Sequence, residues 1–293
     1  RDQQEILLKE TQLPVLSVYP SGITMHVPSG PSNHVRGKRT AVVGWSASAV
    51  RRHTSWLKSI TVDALDGHGY ALTLTVRDLP ENAAAFHAAK KAWLERMRRH
   101  GFLRVHWIVE WQRRGVPHLH VAIYFPEALS PRDRATVLLD WQQVAQRWGA
   151  ESSGQDLKPI EGDIGWLQYL SKHSARGVKH YQRYGKPATW ETTGRLWGKS
   201  GDWPESDPMR FALDTADWHR FRRLARAWRI ADARAERNPE TRRRRIASAR
   251  RCLRCTDRKL SSVRGVSEWL PEGVAVTLLD ELTRSGSQIR QND

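Results

Sequence analysis

The chain contains His118-Leu119-His120. Residues two apart on a strand face the same side, so both imidazoles would project together while Leu119 points to the core. That is how a rigid element presents two ligands to one divalent cation. The pair alone describes two surface histidines on a sheet equally well. Upstream, Leu103 to Trp111 reads as a strand, Gly115-Val116-Pro117 as a turn, and His118 to Phe125 as the returning strand of a hairpin. The turn would bring Glu110 alongside the two histidines. Glu110 can supply a hard oxygen ligand there, or can pair with Arg113 or Arg114. Two imidazoles and a carboxylate suit Mn²⁺ or Mg²⁺ and leave positions for a phosphate oxygen and water.

A third candidate is Tyr169-Leu170-Ser171-Lys172. On a helix, positions i and i+3 share a face, so the phenol and the ammonium would stand together. A phenol titrates near pH 10 and is a poor nucleophile at neutral pH. A cation beside it, either a metal or Lys172, would favour the phenolate and make attack on phosphorus feasible. The plain alternative is a half-buried tyrosine with a surface lysine.

The elements that would carry these groups follow from the pattern around them. Tyr70 to Val76 alternates Leu72, Leu74 and Val76 with Thr73 and Thr75, a strand pattern. Pro80-Glu81-Asn82 opens a helix to about His100, with Phe86, Lys90, Trp93, Leu94 and Met97 at helical spacing. Ser130-Pro131-Arg132-Asp133 starts another, with Leu138, Leu139, Trp141, Val144, Ala145 and Trp148 as its apolar face. A shorter helix is expected over 163–174, anchored by Trp166, Leu167 and Leu170, and a loop with short strands over 177–203. Residues 1–58 read as an irregular N-terminal extension with a few short strands. Val274 to Leu282 could dock as a short helix or strand.

Composition points to a polyanionic partner. The 293 residues carry 48 Lys and Arg against 31 Asp and Glu, a formal charge of +17. Nucleic acid is the leading candidate. Much of the excess lies beyond Thr215, where Trp218, Phe221, Leu224, Ala225 and Trp228 form an apolar stripe among arginines, followed by Arg242 to Arg245. Too few acids are present for i,i+4 pairing, which favours phosphate contacts over an ordinary solvated face. Two cysteines fit a reducing compartment and exclude a disulfide-rich scaffold. Cys252 and Cys255 have half of a zinc-site spacing or are incidental thiols. No apolar run approaches a membrane span, and the opening residues lack a signal-peptide layout, so a cytoplasmic location and no membrane partner are expected. The missing initiator Met leaves room for residues upstream. Fourteen tryptophans are many. Trp190, Trp197 and Trp203 fall in the loop and suit either stacking on unpaired bases or loop packing.

In combination and in this order, the motifs resemble the His-hydrophobic-His (HUH) endonucleases, specifically the rolling-circle replication initiators of plasmids and small single-stranded DNA phages. Ala71-Leu72-Thr73-Leu74-Thr75 is similar to the family's first motif. Glu110-Trp111-Gln112-Arg113-Arg114-Gly115-Val116-Pro117-His118-Leu119-His120 is similar to the second, in its filamentous-phage and microvirus form. Tyr169 to Lys172 is similar to the third, and Gly194-Arg195-Leu196-Trp197-Gly198 to a segment that follows it. The resemblance covers about residues 58–200. It implies an α+β HUH endonuclease fold, with a central five-stranded antiparallel sheet and flanking helices related to the RNA-recognition-motif fold. With it go an N-terminal extension (1–58), a nicking-joining domain (59–203) and a basic helical C-terminal region contacting DNA (204–293).

The resemblance also implies a reaction. A divalent metal, Mn²⁺ or Mg²⁺, at Glu110, His118 and His120 would polarise the scissile phosphate of single-stranded origin DNA. Tyr169, assisted by Lys172, would attack and leave a 5′-phosphotyrosine and a free 3′-OH, and the strand would later be rejoined. Lys179, Lys186, Arg195, Arg220, Arg223, Arg243 and Arg244 are the expected DNA contacts, and a host helicase and polymerase the expected partners, since no P-loop is present. Some relatives carry a second Tyr or Lys one turn beyond the third motif, where this chain has His173 and Arg176. Tyr181 and Tyr184 lie outside a Tyr-x-x-Lys frame, so a single nucleophile is expected. A relaxase or single-strand transposase would share the chemistry. A non-catalytic DNA-binding protein with a structural His pair is the reading from another class.

Overall fold

The computed structural model describes residues 13–26, 40–161, Trp166, Tyr169, His173, 177–251, 266–268 and 270–292. In chain order the strands are β1 (Val15–Tyr19), β2 (Gly22–His26), β3 (His68–Thr75), β4 (Arg104–Trp111), β5 (Pro117–Phe125), β6 (Asp156–Ile160), β7 (Trp197–Gly201), β8 (Met209–Ala212), β9 (Val266–Glu268) and β10 (Arg290–Asn292). The helices are α1 (Ala47–Ser59), α2 (Ala83–Arg99), α3 (Pro131–Val144), α4 (Thr215–Arg234), α5 (Pro239–Ala249) and α6 (Glu272–Arg284). The chain divides into two compact units. A central one lies within Gly37–Leu57 and Val62–Pro204. A terminal one is drawn from Arg1–Arg36, Lys58–Thr61 and Glu205–Asp293. No described helix is long and apolar enough to cross a membrane.

The central unit is the expected α+β arrangement: a five-stranded sheet of order β6-β3-β5-β4-β7, every neighbour antiparallel. One face is apolar. Leu72, Leu74, Val105, Trp107, Val109, Leu119, Val121 and Ile123 cluster there with Phe86, Trp93 and Met97 of α2 and with Val137 and Trp141 of α3. α2 starts where Asn82 caps the backbone N–H of Ala85, and α3 where Ser130 caps that of Asp133 with Pro131 behind it. On α3 the buried positions are Val137 and Trp141, continued by Ala145 and Trp148. The expected Leu139 is exposed instead, because the buried stripe runs through Val137 and Trp141, one turn apart.

The other face of the sheet is polar. The strand period places His106, Ile108 and Glu110 of β4 there, beside His118, His120 and Tyr124 of β5 and Thr73 and Thr75 of β3. The segment after Gly177 is not a free loop. The Trp111 N–H donates to Gln182 O (2.8 Å), and the Val109 N–H to Leu196 O (2.7 Å), so this segment runs along the β4 edge that β7 then pairs. Trp190 is core and donates to Pro80 O, and Trp203 is buried. Both are therefore packing residues rather than stacking platforms.

The N-terminal stretch is not an irregular extension. β1 and β2 form a hairpin inside a second antiparallel sheet of order β10-β8-β1-β2-β9. Leu16, Val18, Ile23 and Met25 join Leu213, Trp218, Phe221, Ala225, Leu279 and Leu282 in the core of the terminal unit. The expected stripe of α4 is thus its buried face, and Val274 to Leu282 belongs to α6. The stretch also contains most of α1. Ser46 caps it, and Ala49, Val50, His53, Trp56 and Leu57 recur at helical spacing. The boundaries at 58 and 203 therefore shift, because strand pairing joins the two ends of the sequence.

Gly201 turns at φ +86°, and a Cβ there would overlap Leu103 O. Both the backbone conformation and the closeness of β4 require glycine. Gly201→Ala should lower unfolding free energy by about 2 kcal/mol or more. A denaturant midpoint unchanged from the parent would contradict this.

Candidate metal and nucleophile site

The β4–β5 register sets Glu110 opposite His118 and Ile108 opposite His120. The connection between the strands closes on Gly115, at φ +79°, with Gln112 N–H donating to Val116 O (2.8 Å). One ligand atom from each of Glu110, His118 and His120 lies within 4.8 Å of the others, and all three side chains are buried. The hairpin thus brings together the three residues expected to hold a cation. The donor set fits one: two imidazoles and a carboxylate suit Mn²⁺ or Mg²⁺ with positions to spare.

The first motif has a physical role in this arrangement. Leu72 and Leu74 are core, while Thr73 faces His120, with Oγ1 and Nδ1 3.2 Å apart. With Nδ1 donating to the threonine, Nε2 keeps its lone pair on the side where Glu110 Oε2 stands 3.5 Å away.

Glu110 has no exposure to water, so its charge requires a partner. Arg183 supplies it, donating from Nε to Oε1 at 2.9 Å while itself fully buried. Its Nη2 donates to His173 O (2.6 Å), and the guanidinium lies 4.4 Å from the centre of the Trp45 ring. The bond from Trp111 N–H to Gln182 O fixes the residue next to Arg183 in register with Glu110. One carboxylate oxygen is thus held by Arg183 while the other faces the histidines.

Tyr169 is buried beneath this face. Its ring stacks on Trp166 at 5.5 Å and lies 4.6 Å from His173, which in turn lies 4.8 Å from His120. His173 Nδ1 is 3.8 Å from Glu110 Oε2. The Tyr169 hydroxyl meets Nδ1 of His106 at 3.1 Å. Burial, then the Glu110 carboxylate and the neighbouring Tyr124 phenol, push the Tyr169 phenol well above its ordinary value. Desolvation dominates at full burial.

Lys172, Arg176, Cys252 and Cys255 lie outside the described residues. Lys179 is exposed, Lys186 is bonded through Nζ to Trp190 O, and Arg195 donates from Nε to Trp197 O (2.8 Å). In the terminal unit Arg223, Arg243 and Arg244 are exposed, and Arg220 pairs with Asp217 at 3.4 Å. Tyr181 and Tyr184 are exposed, with Arg113 over the Tyr181 ring. Sequence reasoning passed over Arg183, His106, His53 and His173 as members of the site. His106 carried a signal, since it alternates in step with Glu110 on β4.

Comparison with known proteins agrees with this geometry. Residues 69–174, from the first motif through the third, match the family model of the replication-associated protein ORF2/gene 2 protein. A Xylella fastidiosa protein described as a candidate replication protein is 44% identical over 94% of this chain and 99% of its own length. The replication-associated gene 2 protein of Pseudomonas phage Pf3 is 41% identical over 86% of this chain and 90% of its own. No solved structure matches the chain. The resemblance to rolling-circle initiators seen in the motifs is thereby borne out. With the candidate triad and the three motifs in place and relatives matched along nearly their full lengths, the chain belongs to the family of replication-associated proteins of the ORF2/gene 2 type.

Proposed function

We propose that the protein nicks and rejoins single-stranded origin DNA through Tyr169, as a rolling-circle replication initiator. The observation that carries this is the juxtaposition on one sheet face of the Glu110, His118 and His120 donors with the Tyr169 phenol, bridged by the His173 ring. A divalent cation held by the three donors would polarise the scissile phosphate and offset its charge. Tyr169 is the nucleophile, and its stacking on Trp166 fixes the direction of attack. Attack on phosphorus gives a 5′-phosphotyrosine and a 3′-OH that primes synthesis. The same phosphotyrosine is later the electrophile for rejoining. Lys172, three residues from Tyr169 in sequence, assists the nucleophile.

Exposed Tyr181 and Tyr184, with Arg113, Lys179 and Arg195, suit a single strand that needs stacking surfaces and phosphate contacts. Lys186 is the weakest of the expected contacts, because its ammonium already serves Trp190. The arginines of α4 and α5, Arg223, Arg243 and Arg244 among them, suit sequence-independent phosphate contact, with Arg220 at their edge. A host helicase and polymerase would act on the opened strand. The replication names of the relatives favour this reading over a relaxase or transposase.

Three outcomes test it. Incubating the protein with single-stranded origin oligonucleotides and Mn²⁺ should give a covalent adduct of phosphotyrosine mass, absent in Tyr169→Phe and on chelation. Failure to form any adduct across tiled origin sequences, with DNA binding intact, sinks the reading. Arg183→Met removes the guanidinium that donates to the buried Glu110 carboxylate, a loss of about 3 to 5 kcal/mol. A cation at Glu110 would offset that loss, so Mn²⁺ should raise the melting temperature of Arg183→Met more than that of the parent. An equal or smaller rise counts against Glu110 as a ligand. Replacing Arg243 and Arg244 by Gln should weaken DNA binding about equally for all sequences and flatten the slope of log affinity against log salt by about 2. An unchanged slope removes these two residues from the interface.

A further inference from the structure

Behind Tyr169 lies a line of hydrogen bonds that the metal donors do not enter. The phenol oxygen is 3.1 Å from His106 Nδ1, and His106 Nε2 is 3.0 Å from Nε2 of His53 on α1. Both imidazoles are fully buried. Trp56 packs at 4.5 Å from the His106 ring centre, and Trp197 and Trp45 at 5.0 and 5.9 Å from that of His53. The charged or titratable groups facing the line are Arg183 and Glu110, which neutralise each other, Tyr124 on β5, His173, and Lys199 on β7, which stands opposite His106 with its ammonium 5.5 Å from the Trp56 ring centre.

The tautomers follow from the phenol. Among the described residues, Tyr169 has no hydrogen-bond partner other than His106, and a buried O–H left undonated costs about 1 to 3 kcal/mol. The phenol therefore donates and His106 Nδ1 accepts. Burial, and then Arg183, push His106 down to about 3, so its ring is neutral and carries its single proton on Nε2. That N–H donates to His53 Nε2. The proton of His53 then sits on Nδ1, a buried atom with no partner among the described residues.

We propose that His106 is the general base of strand cleavage and the general acid of rejoining, with His53 as the positioning residue that fixes its tautomer. This rests on the nicking reaction proposed above. In cleavage the Tyr169 O–H bond breaks, and its proton passes to His106 Nδ1 as the phenol oxygen bonds to phosphorus. The bond from phosphorus to the 3′ oxygen breaks, its electron pair leaves with that oxygen, and solvent protonates it. His106 is then an imidazolium with both nitrogens protonated, and the DNA phosphate supplies the anion that stabilises it. In rejoining, the 3′-OH loses its proton to solvent and attacks phosphorus. The departing Tyr169 oxygen recovers the proton from His106. No redox step or further co-reactant is required.

The experiment compares the full-length parent with His106→Asn and His53→Gln. Asn can keep an oxygen near the Nδ1 position to accept from the phenol, but it cannot take the proton. Adduct formation with a single-stranded origin oligonucleotide and Mn²⁺ is followed under single-turnover conditions from pH 6 to 9. His106→Asn should be slower by about 100-fold at pH 7. Its rate should climb about tenfold per pH unit, because hydroxide must now remove the proton, while the parent changes less steeply. His53→Gln should shift in the same direction by less. An unchanged Mn²⁺-induced rise in melting temperature establishes that each variant keeps the fold and the donor triad. Nitrogen-15 spectra of the histidines of the parent, recorded without metal, should show one imidazole with Nδ1 unprotonated and Nε2 protonated whose Nδ1 signal moves in Tyr169→Phe. Adduct from the parent, with His106→Asn following the parent's pH profile at any rate, overturns the base assignment alone. So does a His106 protonated on Nδ1. No adduct from the parent overturns the nicking reading and the base with it.

Discussion

A carboxylate with no access to water has to be met by positive charge, and Glu110 is such a carboxylate. The polar face of the central sheet is organised around that requirement. Arg183 answers it on one oxygen, which is why the segment after Gly177 is tied along the β4 edge through Gln182 and Leu196. The second oxygen is left toward His118 and His120, whose own positions come from the antiparallel register of the hairpin. The same guanidinium then holds the His173 carbonyl, four residues beyond Tyr169. One ion pair thus connects the candidate triad, the position of Tyr169 and the strand-edge segment.

The two faces of the sheet do different work because strands alternate. Leucines, valines and tryptophans on one side supply the burial that makes the sheet rigid. Threonine, histidine and glutamate on the other inherit that rigidity. The polar side chains are held in fixed relation to one another by strands rather than by large loops. Such rigidity is what the proposed cation site and phosphoryl chemistry would need.

What could be read from the sequence was local. His118 and His120 share a face by the strand period, and Glu110 joins them through a short turn, so spacing could group the three as candidate donors. The Leu-Thr-Leu-Thr strand, the Asn82 and Ser130 caps and the stripe of α4 were legible for the same reason. Arg183, His53 and the β1–β2 hairpin were not. Each acts through a partner far along the chain, and nothing in its neighbours announces that partner. His106 is the instructive case, because its alternation with Glu110 was visible but the phenol that gives it meaning arrives from another element. Trp190 and Trp203 are a case where the sequence left two readings open. Their place in a glycine- and lysine-rich stretch suggested surface, whereas burial decided for packing.

The hairpin at the start of the described chain meets β8 only after the whole central unit has been spelled out, and it meets β10 never, since β8 stands between them. During synthesis the central unit has all of its strands before β8 emerges, so it can fold on the ribosome as a completed body. β1 and β2 must wait meanwhile with Leu16, Val18, Ile23 and Met25 uncovered. Interrupted translation would therefore leave a finished central sheet attached to an orphaned apolar ribbon, a form prone to self-association rather than a smaller working enzyme.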